Sequence, residues 1–435
     1  MKLRVGIIGG GSASMVCAAT VYGQTPPGCE FSVTLITDPN IPPIRVGESM
    51  SPMLVGIMDR CLKFIFPQDN SVKNVEEMCA MPRIGARHTW EDNAHEPFDV
   101  NYNTFAFHID SSKFVAYARR RMGELYDYKE INDTIVDITQ TEGQAIAHSA
   151  TNQYSFDYIF DCRGFPTSAE FDSGQYRFPE FETVNSLMVF QNKGHYTHCY
   201  TDNIIHRNGW QFGINTTERK AFGYLYNRNI TSDDEALKHY LQLNKNVPIV
   251  ESEIKQVKWK FYFAARPVNG RIMKMGNKLF FFEPIQGIPL HHYSIYTSML
   301  VDYMFACEGF FQWDYRGLLG DFKVISCANS PEEACNEFHH TTMRRYFQIL
   351  CTNYIGNQMN SDFWNVTKSK CMDKLLRSEE FVDFAKRVIE HYETPGSIYP
   401  DLHLHQGIII KQYMRGLNVD FQGILNTISR DSISP

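Results

Sequence analysis

Residues 3–20 read LRVGIIGGGSASMVCAAT and residues 31–38 read FSVTLITD. Leu3 to Ile8 is a short apolar run rich in β-branched residues, the composition of a buried parallel strand. Gly9, Gly10 and Gly11 follow at once, and Ser12 to Thr20 is small, apolar and helix-compatible. Strand, glycine turn and helix in that order are the context of a dinucleotide fingerprint. Glycine lets the backbone approach a pyrophosphate, and the helix start supplies amides and the positive end of a dipole. Gly9, Gly11, Ala13 and Ser14 are the turn residues expected against that pyrophosphate, with small Ser14 standing for the fingerprint's third glycine. The second strand, Phe31 to Ile36, ends at Thr37-Asp38, and Asp38 is the candidate for the ribose hydroxyls, one place late.

At 435 residues, 43% hydrophobic and 14% aromatic, the chain can bury a large core and has room for two or three structural units. A net charge of −7 gives no ground for a nucleic-acid or anionic-membrane partner. The eleven cysteines are scattered, with no C-x-x-C pair and no metal-ligand spacing, as in reduced thiols of an intracellular protein. No apolar run reaches the roughly 18 residues a membrane span needs. The basic start and apolar run look like a signal peptide, but the triple glycine breaks the apolar region. The cytoplasm is the expected location.

Residues 41–52 read IPPIRVGESMSP. Together with the glycine opening, this stretch resembles the flavin-dependent halogenases, the tryptophan-halogenase-like family, in which "IP-x-I-x-VGEAT-x-P" follows the second strand. The resemblance implies bound FAD and a strap running between flavin and substrate sites. It puts Val46, Gly47 and Glu48 among the cofactor-binding residues, with Glu48 also a candidate catalytic group.

Residues 81–90, MPRIGARHTW, resemble the family's lysine strand, "K-x-G-x-x-F-x-W". That alignment puts Arg83 where the catalytic lysine stands. Arginine keeps five donors but is not readily deprotonated, so it can hydrogen-bond hypohalous acid without forming a haloamine. Two alternatives stay open: an ion-paired strand arginine, or a slipped alignment in which Lys73 or Lys63 is the functional group. His108-Ile109-Asp110, leading into Phe114 to Ala118, is similar to the family's strand-to-helix step, with Ser111 at its usual arginine. Arg119, Arg120 and Arg121 are expected to be a solvated helix end.

Strands are expected at Thr134 to Ile138 and Gln144 to His148. YIFDCRGFP, residues 158–166, resembles "D-x-x-iDCsGFr", which ends beneath the flavin and places Gly164 close to it. From Ser186 the pattern alternates as antiparallel strands do: Leu187 to Phe190, His195 to Tyr200, Gly209 to Asn215 and Ala221 to Tyr226. Asp233 to Leu241 then reads as helix. Gly209 to Asn215 resembles "G-W-x-W-x-I-P", with Trp210 and Ile214 kept, Phe212 for the second Trp and Asn215 for Pro. This implies Trp210 and Phe212 on the substrate side.

Residues 272–288, IMKMGNKLFFFEPIQGI, resemble the family's flavin- and halide-binding turn. Gly276 and Ile288 fall at cofactor positions, and Gln286 and Gly287 at the halide amides, in a turn two residues shorter than in tryptophan halogenases. An ungapped alignment puts Pro289, which has no N–H, at a halide donor position. Glu283 takes the place of an aspartate, and the family's glutamate is missing. Glu48, His291 and His292 are the nearby candidates for its role, against the alternative that each is a satisfied structural residue. A helix is expected from His291 to Phe305, and others over Pro331 to Ile355, Ser378 to Tyr392 and Gly407 to Leu417. His403 and His405 read as surface residues.

The expected fold class is α/β: a GxGxxG, Rossmann-like FAD-binding domain interleaved with a substrate-binding β-sheet, plus a C-terminal helical region. The boundaries are 1–185 and 265–310 for the FAD unit, 186–264 for the substrate-side antiparallel sheet and 311–435 for the helical region. The resemblance implies a flavin-dependent oxidoreductase, a halogenase using reduced FAD from a separate flavin reductase, O2 and halide, with bromide or iodide favoured over chloride. Its partner substrate is a small electron-rich arene of indole, phenol or pyrrole type. An FAD monooxygenase or hydroxylase, favoured by the altered Lys, Glu and WxWxIP positions, and a non-catalytic flavin-binding protein are the alternatives.

Overall fold

The computed structural model describes residues 1–41, 48–65, 71–92, 95–310, 328–356, 359–377, 382, 386, 416–420 and 422–426. Val46, Gly47, the Glu48 side chain, His403 and His405 lie outside them. So, apart from isolated positions, do the helices expected over Ser378 to Tyr392 and Gly407 to Leu417. The chain divides into two compact units. The first comprises Met1–Met81, Ala106–Phe178 and Tyr262–Thr341, the second Pro82–Phe105, Pro179–Phe261 and Thr342–Pro435. Residues 82–105 thus cluster with the later strands rather than with the N-terminal region.

The first unit is built on a six-stranded sheet. Strands β1 (Lys2–Ile8), β2 (Glu30–Thr37), β6 (Tyr128–Asn132), β10 (Tyr158–Asp161), β18 (Val268–Asn269) and β19 (Ile272–Lys274) take the order β18-β19-β10-β1-β2-β6. All neighbours are parallel except the β18–β19 hairpin. Val5, Ile7, Val33, Leu35, Ile159 and Phe160 are completely buried, as expected for parallel strands covered on both faces. Helix α1 (Ser12–Gly23) is buried almost all round, because its small residues allow close approach. Its Cys17 Sγ lies 3.3 Å from Thr297 Oγ1 of α7 (Ile288–Cys307). Helices α2 (Pro52–Leu62), α3 (Ser71–Glu77), α4 (Ser111–Leu125) and the short α5 (Ser168–Asp172) complete the helical layer of this unit.

A meander, β7 (Ile135–Gln140), β8 (Ala145–Ser149) and β9 (Gln153–Phe156), packs Ala145, Ala147 and Phe156 against Ile8 and Ile159. Strands β11 (Tyr176–Arg177), β17 (Tyr262–Ala264) and β20 (Phe280–Phe281) form a small aromatic sheet. Helix α8 (Pro331–Ile355) begins in this unit and runs on into the second.

The second unit holds an antiparallel sheet of β16 (Lys255–Lys258), β12 (Ser186–Lys193), β15 (Arg219–Tyr226), β14 (Gly209–Asn215), β13 (Tyr200–His206), β4 (Met81–Trp90) and the first part of β5 (Phe98–Ile109), in that order; the end of β5, from Ala106, belongs to the first unit. Only the β4–β13 pairing is parallel among those described. Helix α6 (Asp233–Leu243) covers one face, packing Ala236 and Tyr240 on Met188, Phe190, Tyr224 and Tyr226. In α9 (Asp362–Leu376), Trp364 Nε1 donates to the His206 carbonyl at 2.8 Å.

Two expectations are corrected. The strand expected from His195 to Tyr200 begins only at Tyr200. The preceding segment is tied by side chains instead, with Asn215 Nδ2 donating to the His198 carbonyl and His198 facing Asp202 at 3.0 Å. Helix α7 starts at Ile288, three residues early, because Pro289 fits a first helical turn where a missing N–H costs nothing. The ten described cysteines are free thiols. Among the described residues no helix is long and apolar enough to cross a membrane, and no His, Cys, Asp or Glu group has metal-binding geometry.

Candidate functional site

The ends of β1 and β10 meet at the glycine turn. Gly9 has φ +125°, and a Cβ there would stand 2.4 Å from the Cys162 carbonyl oxygen, so this glycine is required by the chain itself. Gly11, which opens α1 with extended backbone, differs: nothing lies within 4 Å of where its Cβ would be. Gly164, at φ +60°, faces open space in the same way. Ser14 is buried, and the Cys162 thiol beside Cys17 and Ser14 is driven well above its ordinary value by its hydrogen bond with Cys17 and by burial. Cys162 is therefore a packed thiol rather than a nucleophile.

Residues 272–288 return to this turn. Gly276, at φ +60°, comes so close to α1 that a Cβ would lie 2.9 Å from Ala13 Cβ. Asp38 follows β2 directly, and its carboxylate accepts from the Asn40 amide at 2.8 Å. Open room at Gly11 and Gly164, with small Ala13, Ser14 and Gly276 around them, fits the diphosphate and flavin ends of a dinucleotide.

Strand β3 (Glu48–Met50) pairs with the end of β5, Ser49 opposite His108, and this brings the strap's end to the other predicted turn. Gly287 has φ +65°, and its Cβ position is 3.6 Å from the Ser49 carbonyl oxygen. The Gly287 N–H donates to the Pro284 carbonyl at 3.2 Å. Ile288 is buried at the helix start, as is Glu283 just before the turn.

Ser51 caps α2 by accepting from the Leu54 amide at 3.2 Å, and its Oγ lies 2.7 Å from His291 Nδ1. The neighbouring histidine points elsewhere. His292 is buried in an aromatic box with Phe280, Tyr296 and His339, and burial followed by the charge of His291 holds it at about 3. Of the two histidines considered for the missing glutamate, His291 is the one at the strap.

In the second unit, Arg83 is buried on β4 with its guanidinium 4.8 Å from the centroid of the Tyr102 ring. Five residues further along β4, His88 stacks on Phe98 at 4.6 Å. Burial pushes it down to about 3, against the pull of Asp99 and with the help of Arg83. Lys63 and Lys73, the alternatives to Arg83, are exposed on the first unit. Trp210 and Phe212 lie on the sheet face opposite α6, 6.2 Å apart. Phe212 fills the space over Gly223, where a Cβ would come within 2.1 Å of its ring. Trp210 Nε1 is buried without a hydrogen-bond acceptor.

Two features escaped the sequence reading. Arg119, expected in a solvated helix end, turns toward the glycine turn, with Nη2 2.8 Å from a Cβ placed on Gly10. In the second unit, Glu91, His239 and Tyr224 join three elements through one buried chain of hydrogen bonds. Neither is signalled by spacing, since their members are far apart in sequence.

A family model described as Tryptophan halogenase matches residues 4–98 and 68–317. The chain is 20% identical over 367 residues to tryptophan 7-halogenase RebH of Lentzea aerocolonigenes, covering 68% of each protein. Its fold is shared with a tryptophan halogenase of Shewanella frigidimarina, at a TM-score of 0.74 and 14% identity, covering 98% of this chain and 94% of that one. It is shared also with BrvH, a flavin-dependent halogenase of Brevundimonas sp. BAL3, at a TM-score of 0.71 and 15% identity over 98% and 94%.

Proposed function

Since the chain belongs to the tryptophan halogenase family, we propose that it halogenates a small electron-rich arene with reduced FAD, O2 and halide. The observation that carries this reading is the folding together, in the first unit, of blocks far apart in sequence. Gly276 meets Ala13, and Gly287 meets Ser49. These two approaches support a reading in which the glycine turn, the strap's end and residues 272–288 serve the nucleotide and the halide.

FAD, when bound and reduced by a separate flavin reductase, supplies the two-electron chemistry by which O2 oxidises halide to hypohalous acid. The residues hold and aim. Gly9, Gly11, Ala13, Ser14, Gly164, Gly276 and Ile288, with Val46, Gly47 and Glu48 of the strap, accommodate the cofactor, and Asp38 receives its ribose hydroxyls. The turn at Gln286 and Gly287 receives the halide near a helix start, where anions are favoured. Arg83 donates hydrogen bonds to the oxidant, and Trp210 and Phe212 face the arene, with Glu48 or His291 left to take up the ring proton. Because a hydrogen-bonding arginine makes no covalent haloamine, bromide or iodide serves better than chloride.

The test is incubation with reduced FAD, O2, chloride or bromide and a panel of indoles, phenols and pyrroles, read by mass. A halide-dependent product carrying the halogen is expected. An oxygenated product formed without halide means a hydroxylase, and absence of oxygen consumption means a flavin-binding protein without this chemistry.

A further inference from the structure

The three consecutive arginines of α4 have three different jobs. Arg120 pairs with Glu77 and Glu124, each at 2.7 Å. Arg121 donates from Nε to the Leu62 carbonyl at 3.0 Å and pairs with Glu124. Arg119 has only a loose approach to Glu130, 3.7 Å, too long for a hydrogen bond, while Glu130 is already bonded to the Tyr128 hydroxyl at 2.9 Å. Its Nε is buried with no hydrogen-bond partner.

The guanidinium lies instead across Gly10. A Cβ on Gly10 would stand 2.8 Å from Arg119 Nη2 and 3.1 Å from Thr37 Cγ2. The dinucleotide fingerprint leaves this middle position free, and here the guanidinium and Thr37 occupy the space beside it. Arg119 thus sits between the glycine turn and the end of β2, the two places that receive a dinucleotide's diphosphate and ribose. Backbone amides and a helix dipole offer that dianion only partial charges. A guanidinium adds a full charge and a fork of donors matched to phosphate oxygens.

We propose that Arg119, lying over Gly10 of the glycine turn, is a binding residue for the diphosphate of the cofactor, an adenine dinucleotide. This rests on the FAD reading above. The test titrates FAD, and separately ADP, into wild type, Arg119→Met, Arg119→Lys and Glu130→Gln, with far-UV circular dichroism to confirm the fold. A lost charge-assisted bond weakens binding by about ten-fold or more, so Arg119→Met should lose at least that for both ligands. Arg119→Lys should recover part of it. The salt dependence of FAD affinity should be shallower in Arg119→Met, since one screened charge pair is gone.

Glu130→Gln separates the roles: it leaves FAD affinity unchanged or tighter if Arg119 serves the ligand, and copies Arg119→Met if the arginine only braces β6. Should Arg119→Met not fold, Arg119→Gln carries the same arm. Wild-type affinity in the Arg119 variant overturns the proposal and leaves the dinucleotide site standing. Failure of the wild type to bind either FAD or ADP removes both.

Discussion

Glu91 Oε2 stands 2.7 Å from His239 Nε2 in the interior of the second unit, and the Tyr224 hydroxyl meets the other ring nitrogen at 2.8 Å. Asn208 donates to the same hydroxyl, and Arg207 donates to Glu91 from both backbone and side chain. Burial alone raises a carboxyl's pKa, but the bonds from His239 and Arg207 win and hold Glu91 at about 2. The folded state therefore binds this proton more weakly than the unfolded chain does. Its stabilisation is complete above the ordinary carboxylate value and is lost as pH falls from there toward 2.

Glu91→Gln should lower stability at neutral pH by about 1–3 kcal/mol, since a buried imidazole loses its charged partner. The loss should shrink as pH falls below 4. Denaturant midpoints at pH 7 and pH 3 check this; an equal loss at both pH values removes the charge from the account.

The glycine turn separates fold from ligand. Gly11→Val puts a side chain into open space, so the thermal midpoint should barely move while FAD affinity collapses. Gly9→Ala meets the Cys162 carbonyl at a left-handed φ, and should destabilise the protein with or without FAD. A Gly11→Val variant that titrates FAD normally would falsify the assignment of this turn.

Arg83→Ala should abolish aryl halogenation while reduced flavin is still oxidised by O2, and Arg83→Lys should keep or improve product formation. Product and oxygen consumption are measured side by side. Native-rate halogenation by Arg83→Ala sends the search back to Lys73 or Lys63.

At the second turn proline is a poor probe of halide, because Gly287 sits at φ +65°, where proline cannot follow. Gly287→Ala keeps the amide at a backbone cost of roughly 1 kcal/mol, and Gly287→Asn tolerates this region better. The halide concentration giving half-maximal rate should rise in Ala and rise less in Asn. If both match wild type, the halide is held elsewhere.

His339 is buried with neither ring nitrogen bonded, and burial, then His292 and His340, pushes it well below its ordinary value. A histidine that charges more readily unfolded than folded costs nothing at alkaline pH and destabilises as pH drops through the unperturbed value, about 6.5. His339→Phe should therefore narrow the difference in denaturant midpoint between pH 8 and pH 5. An unchanged difference assigns acid sensitivity to other groups.

The parallel core was legible because β1 is a continuous apolar run and the glycines between strand and helix have few other uses, whereas β10 was placed by resemblance. β6 was not, since YKEIN is an edge strand with little buried side-chain area and so no clear period. The approach of Gly276 to Ala13 was foreshadowed only by resemblance, because nothing local in either segment specifies the other. Arg119 was misread for the opposite reason. Three adjacent arginines look alike in sequence, and only helical rotation, about 100° per residue, gives them different neighbours.

The first unit is assembled from three separated lengths of chain, the last of which supplies β18, β19 and α7. During synthesis β1 and β2 can pair early, but the free edge of β10 and the apolar side of α1 stay uncovered until residues 268–307 have left the ribosome. For most of translation this protein is therefore a nascent chain with an open sheet edge, a state that invites chaperone binding or mispairing. No cut after residue 105 or residue 178 leaves a fragment containing all the strands of that sheet, so expression of isolated halves should yield aggregates rather than domains.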